Sequence, residues 1–371
     1  MKNNNTASVV TNSSTPAATV PGGFTLGLDL GDRCHHVCVL DVTGQIVCEG
    51  ALSNTRPALA KLLADFPRAI VALEAGTHSP WISRFLQEHG ATVFVANPRK
   101  LHAISRNERK CDRRDAQMLA RLARVDPALL HPIHHGSAQA QHDLLGLKLR
   151  DALVRTRVNL INAVRFTLKS LGHPVRNPSS ESFHKTVLAD IPADCLPVVQ
   201  PLLTVLAQVT EQIKGMERDL VQRSQKEYPA TQRLQQIAGV GPLTALCFVL
   251  KIGDPVRFGR SRDVGAYLGL CPRRDQSGGT DKQLRISKCG DGLLRRLLVS
   301  AAHYVLGPFG PPCALREHGQ RLTGTGSARE KKRAVVAVAR KLAVLLLSLW
   351  KHGTEYEPRT TAASAVVMTP A

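Results

Sequence analysis

Between Phe24 and Asn97 the chain changes its hydrophobic period in an order that few sheets can satisfy. FTLGLDLG is an apolar strand, HHVCVLDV a second and QIVCEGAL a third, with Thr43-Gly44 making the turn between the last two. Apolar runs separated by short turn signals predict an antiparallel meander. A helix follows around Arg56 to Phe66, then a buried strand AIVALEAG (69–76) and a helix near Pro80 to Glu88. ATVFVAN (91–97) is a further strand, and two helical stretches are expected across 98–124. Right-handed crossovers would place the strand at 69–73 beside the first one.

Three strands in a meander followed by alternating βαβα is the order of the ribonuclease H-like fold, so residues 24–135 are expected to form an α/β domain of that class. The middle, 136–230, is helical. One helix runs from about Ala138 to Leu171 and stops at Gly172-His173-Pro174. A second carries Leu202, Leu206, Val209, Ile213, Met216 and Leu220, a coiled-coil seam by spacing. Two readings stay open for it: association between copies of the chain, or a hairpin within one chain. Residues 231–356 are mainly α, with a glycine-rich turn at one end and a basic helix, AREKKRAVVAVARKLAVLLLSLW, at the other. Polar tails are expected at 1–23 and 357–371.

Charge narrows the function. The 371 residues hold 49 Lys plus Arg against 29 Asp plus Glu, a formal +20, which calls for a polyanionic partner and nucleic acid first. Aromatics at 4% argue against a surface of base-stacking rings and favour backbone phosphates. LAVLLLSLW (342–350) is half the length of a membrane span and reads as a buried helix face. The N-terminal stretch lacks the apolar core of a secretory signal. Nine scattered cysteines show no zinc spacing and suit a reducing cytosol. Cys34-His35-His36-x-Cys38 would point to opposite faces of a strand, so structural thiols are expected.

Asp29 closes the first strand and Glu74 the fourth. If those strands are neighbours, both carboxylates emerge at one sheet edge. Asp112 and Asp115 lie three apart on a helix and share a face. Four hard oxygen donors suit Mg²⁺, which activates nucleophiles and stabilises leaving oxygens in phosphodiester chemistry. Arg106, Arg109, Lys110, Arg113 and Arg114 flank the helical pair, where bare carboxylates would repel DNA.

Ile237-Ala238-Gly239-Val240-Gly241-Pro242 resembles a helix-hairpin-helix, whose glycines let backbone approach a phosphate at the next helix N-terminus. Downstream, Ser277 precedes two glycines in a loop rich in Arg273, Arg274, Lys282, Arg285 and Lys288. An exposed hydroxyl among cations has two of the three requirements of a serine that attacks phosphorus; no base is legible. On spacing alone Ser-Gly-Gly is also a flexible turn. Ser287 is the rival hydroxyl, with a helix N-cap as its expected role.

LDLG, LEAGTHSP, NPRKLHAISRNERKCDRRDA, IAGVGPLTA, LGLCPRRDQSGG and RISKCGDGLLRRLL stand in this order. Together they resemble the DEDD-type insertion-sequence transposases, the family of bridge-RNA-guided recombinases, over about 24–356. The resemblance implies a RuvC-like N-terminal domain, a coiled-coil segment and a C-terminal transposase domain. It implies Asp29, Glu74, Asp112 and Asp115 as the metal-binding acids and Ser277 as a nucleophile that forms a phosphoserine link to DNA. It further implies a guide RNA from the same element, and multimers whose active sites combine domains of different subunits. Cys111 stands where the family often has Thr, Asp291 where it often has Asn, and DRCHH (32–36) replaces a Ser-Lys stretch. Of the two early aspartates, Asp29 rather than Asp32 sits at the strand end.

The reading is a DNA transposase that cuts and rejoins strands without hydrolysis. A RuvC-like junction nuclease would need the same acids but not Ser277. A non-catalytic helix-hairpin-helix DNA-binding protein would need neither. A sugar-kinase-like ATPase shares the meander but should carry further phosphate loops, and none is convincing.

Overall fold

The computed structural model describes residues 23–101, 111–324 and 326–358, which divide into two compact units, one ending at His135 and the other beginning at Gly136. The expected tails lie almost wholly outside the described residues, as do Arg106, Arg109 and Lys110.

In the first unit, β1 (Thr25–Asp29), β2 (Cys34–Leu40), β3 (Ile46–Ser53), β4 (Ile70–Glu74) and β5 (Thr92–Ala96) form one mixed sheet in the order β3-β2-β1-β4-β5. β1 pairs antiparallel with β2 and parallel with β4, and Gly27 faces Ala72 in register. The fourth strand therefore lies beside the first. Alternation then sorts the sheet. Leu26, Leu28, Val71 and Leu73 point to one face, where they pack with Leu59, Leu62 and Leu63 of α1 (Arg56–Asp65) and Ile82 and Leu86 of α2 (Ser79–Glu88). Gly27 and Ala72 point to the other, covered by α3 (Asp112–Val125) through Ala116, Leu119, Ala120 and Ala123. Of the helical stretches expected across 98–124, the second is α3, and the first falls mainly on 102–110, outside the described residues.

In the second unit, α4 (Ala138–Ser170) and α5 (Leu196–Glu227) form an antiparallel hairpin. Leu220 packs with Leu144 and Leu147 at one end, and Leu206 with Ile161, Val164 and Leu168 at the other. The 4-3 spacing of α5 is thus used inside the chain, and the hairpin reading holds for the buried line Leu206, Ile213, Leu220. Leu202, Val209 and Met216 are half-buried. α6 (Ala230–Leu234) leads into α7 (Pro242–Ile252), whose Ala245 to Phe248 are fully buried beneath α8 (Gly292–Leu306) and α10 (Ala328–His352); α9 is Ala314–Arg321. α10 begins with a capping box between Ser327 and Glu330, and Leu342, Ala343, Leu346 and Leu347 are its buried face. No described helix is long and apolar enough to cross a membrane.

Asp143 ties the open end of the α4–α5 hairpin. Its buried carboxylate accepts hydrogen bonds from Arg223, Tyr228 and Gln139. Burial pushes its pKa up, but the bonds from Tyr228, Arg223, Gln139 and His142 prevail and hold it below the usual range. A depressed folded value contributes stability above the unfolded value of about 3.9 and loses it as pH falls through the folded one. Asp143→Asn is therefore expected to cost about 3 kcal/mol at pH 7, because Arg223 loses its buried partner. Chemical denaturation as a function of pH checks this: the penalty should be greatest near neutrality and shrink below about pH 4.

Candidate functional site

The site is built at the carboxyl end of the β1–β4 pair. Gly27 and Ala72 are register partners, so two residues on, Asp29 and Glu74 close adjacent parallel strands. By alternation both project to the face covered by α3. α3 runs against β1, since the Arg124 guanidinium near its end donates to the Val42 carbonyl, beyond the strand end that pairs with Thr25. Its first turn, with Asp112 and Asp115, consequently lies toward Asp29 and Glu74. Asp115 is 4% exposed, whereas Asp112 is exposed beside the capping residue Cys111.

The four acids thus come from three neighbouring elements at one edge. Their oxygens suit Mg²⁺ by donor type. Among the described residues, however, no three His, Cys, Asp or Glu side chains form a group that could hold a metal ion. The donors fit in kind, and the set is not closed by protein side chains alone.

Several residues that spacing did not single out shape this edge. The Asn54 side chain donates to the carbonyls of Gly31 at 3.2 Å and Asp32 at 3.1 Å, and the Gly31 N–H donates to His35 Nδ1 at 3.3 Å, which pins the chain leaving Asp29. Asp32, its side chain 94% exposed, pairs with His78 Nε2 at 3.0 Å. The Trp81 indole N–H donates to His78 Nδ1 at 3.3 Å, so Nε2 carries the proton given to Asp32. On the far side, Glu49 takes Arg113 at 2.5 Å and Gln117 at 2.5 Å, fastening the start of α3. Arg113 is therefore committed to Glu49; Arg114 is exposed. Gly27, in the middle of a strand, was a legible signal of close backbone approach. Nothing in the spacing marks the others.

Burial pushes the Cys38 thiol up to about 11 and Cys247 to about 12, in keeping with structural thiols.

Ser277 does not lie in a loop. It ends β6 (Pro272–Ser277), which pairs antiparallel with β7 (Thr280–Ile286) through a two-residue turn, Gly278-Gly279. Gly278 takes φ +54°, the left-handed conformation such a turn demands of its first central residue. Ser277 is exposed, opposite Thr280, and Asp275 and Lys282 follow as the next pair on the same face. Arg274 lies on the other face in a two-bond pair with Asp281 that raises its pKa and lowers that of Asp281. Arg273, Arg285 and Lys288 are exposed. Asp291, not Ser287, caps α8: its carboxylate accepts from the Leu294 N–H at 2.9 Å and pairs with Lys251 at 2.7 Å.

At the glycine turn, Gly239 has φ +87°, and a Cβ there would stand 2.9 Å from the Ala301 carbonyl oxygen. Packing on α8 accounts for this glycine. Gly241 caps α7 and has open space beside it.

The sequence matches two family models, one described as Transposase over 26–173 and one as Transposase IS116/IS110/IS902 family over 231–314. It is 31% identical to the transposase for insertion sequence element IS1328 of Yersinia enterocolitica over 293 residues, 76% of this chain and 84% of that protein. It is 29% identical to the transposase for element IS1111A of Coxiella burnetii over 346 residues, 89% of this chain and 90% of that one. A probable family 20 transposase of Pseudomonas aeruginosa is 28% identical over 346 residues, 90% of this chain and 98% of its own length. Both halves of the chain match in order and nearly end to end, and it belongs to the IS116/IS110/IS902 family of insertion-sequence transposases, enzymes that cut and rejoin DNA.

Proposed function

We propose that this transposase cuts and rejoins DNA through a phosphoserine at Ser277, with Asp29, Glu74, Asp112 and Asp115 of a ribonuclease H-like unit holding Mg²⁺. The observation that carries the reading is the shared edge: adjacent parallel strands deliver Asp29 and Glu74 to the face where α3 begins with Asp112 and Asp115. The strand order β3-β2-β1-β4-β5 supports the fold assignment.

Ser277 Oγ attacks the phosphorus as its proton passes to an acceptor. The P–O3′ bond breaks, and the departing 3′-oxygen takes up a proton. A 3′-hydroxyl of the partner strand then attacks the phosphoserine, which restores the serine hydroxyl and leaves one new phosphodiester. No water is consumed. Lys282, on the face of Ser277 and one pair from it, offsets the phosphate charge, while Arg273, Arg285 and Lys288 lie farther down the hairpin toward its base; Gly278 and Gly279 leave the hairpin tip open to a backbone. When bound, Mg²⁺ supplies Lewis-acid polarisation of the phosphate oxygens. Such ions are commonly held by one or two carboxylates completed by substrate phosphates, which suits an edge that protein side chains do not close. Choice of donor and target DNA is assigned to a guide RNA from the same element, and the working form to a homo-oligomer.

The test is strand joining between donor and target plasmids, with the transcript of the non-coding DNA flanking the gene supplied or withheld. Joining should need the transcript, stop with EDTA and return with Mg²⁺. Asp29→Asn should lower it on the order of a thousandfold, the several kcal/mol a catalytic cation contributes. Joining that survives EDTA or Asp29→Asn would remove the metal from the proposal; joining without the transcript would remove the guide.

A further inference from the structure

The base of the β6–β7 hairpin, α9 and α10 enclose a groove of about 2350 Å³. Small-molecule pockets reach only about 1,000 Å³, so this one suits a polymer. Its floor is apolar, with Leu315, Leu322, Val336, Val344 and Leu345. Arg285 and Lys288 stand at the hairpin wall. Arg329, Lys332, Arg333, Arg340 and Lys341 run along α10. All seven are exposed.

Some cations of the same unit are ion-paired, among them Arg150 with Glu217, Arg176 with Asp190, Arg223 with Asp143 and Arg296 with Asp151. None of the seven groove cations is ion-paired among the described residues. Glu330, Glu355 and Glu357 also line the groove, which leaves seven cations against three acids, an excess of four. From Arg329 to Lys341 the helix advances roughly 18 Å, long enough to follow several successive phosphates of a nucleic-acid strand. The groove shares Pro272, Leu284, Arg285 and Ile286 with the hairpin whose tip is Ser277. Five strand residues separate base from tip by roughly 17 Å. The base itself is anchored: Lys288 N–H donates to the Gly269 carbonyl at 3.1 Å and Ser287 N–H to that of Cys271 at 2.9 Å.

We propose that this groove holds a single-stranded stretch of the DNA leading to the scissile phosphate, its sugars and bases on the apolar floor and its phosphates along α10. A duplex turns its bases inward and has little use for such a floor. This rests on Ser277 as the nucleophile, and the test separates the two.

The full chain is titrated with a fluorescein-labelled mixed-sequence 30-nucleotide single strand of DNA, with the corresponding duplex, and with RNA of the same sequence, over a series of salt concentrations. Arg333→Gln/Arg340→Gln/Lys341→Gln should weaken binding of the single-stranded DNA and reduce the slope of log affinity against log salt by about 2, some 0.7 for each phosphate no longer neutralised. Arg285→Gln/Lys288→Gln on the opposite wall should reduce it by about 1.4. Both sets replace exposed side chains, and unchanged melting temperatures verify the fold. Ser277→Ala should leave affinity and slope as they are. An unchanged slope in both groove variants overturns the proposal, as does a loss confined to duplex or to RNA. If no protein contains a DNA adduct while the groove variants still lose slope, the groove stands as a DNA site and the serine reading falls.

Discussion

Ser277→Ala is expected to abolish the covalent protein–DNA adduct and to lower strand joining by at least about 10⁴-fold, the scale on which loss of a nucleophile acts in serine enzymes. The expectation is clean because the side chain has no structural duty. Ser277 is exposed at the end of β6, and the turn beyond it is held by backbone pairing with Thr280 and by the conformation of Gly278. Melting temperature and DNA affinity should therefore match those of the native protein. Denaturing gels of protein mixed with labelled donor DNA read the adduct; plasmid joining reads the second step. Ser277→Ala protein that still nicks DNA at the native rate would show that water is the nucleophile, and the acids would then belong to a nuclease.

How much of this was legible depends on where burial writes a pattern. The sheet was readable because β1 and β4 are buried on both faces and bounded by turn residues, and the adjacency of Asp29 and Glu74 followed from strand order. α3 was readable as a helix. That its Ala116 to Ala123 face lies directly on β1 was signalled only by Gly27 within LGLD. The β6–β7 hairpin was missed for a physical reason: PRRDQS and TDKQLRI are largely exposed, so no alternation of apolar residues marks them as strands. Only Gly278-Gly279 announced a turn. The α5 seam was visible, but a heptad pattern does not say which helix fills it, and here α4 of the same chain packs against Leu206 and Leu220. Whether four carboxylates close on one ion depends on rotamers and on the start of α3, which spacing does not encode.

Gly27 carries the second large effect. α3 crosses β1 so closely that a Cβ at position 27 would stand 2.0 Å from the Ala116 carbonyl oxygen and 2.6 Å from the Ala120 nitrogen. Both are helix backbone, so no side chain can swing aside. Relief requires α3 to move away from the sheet as a body. Ala116, Leu119, Ala120 and Ala123 are almost completely buried beneath it, and a shift that admits one methyl opens gaps around all of them. Gly27→Ala is thus expected to destabilise the protein by about 3 kcal/mol, at the upper end of the cost of overpacking, and to lower the melting temperature by roughly 10 °C. It should also reduce strand joining more than the lost stability explains, because Asp112 and Asp115 ride on the first turn of α3 while Asp29 and Glu74 stay with the sheet. Joining measured well below the melting temperature of the variant separates the two consequences. The comparison is with Asp143→Asn, which costs a similar free energy in the α4–α5 hairpin but leaves the acids in place. Equal residual joining in the two variants would mean that the contact of α3 with β1 is structural only. A Gly27→Ala protein as stable and as active as the native one would mean that α3 does not lie on the strand this closely in solution.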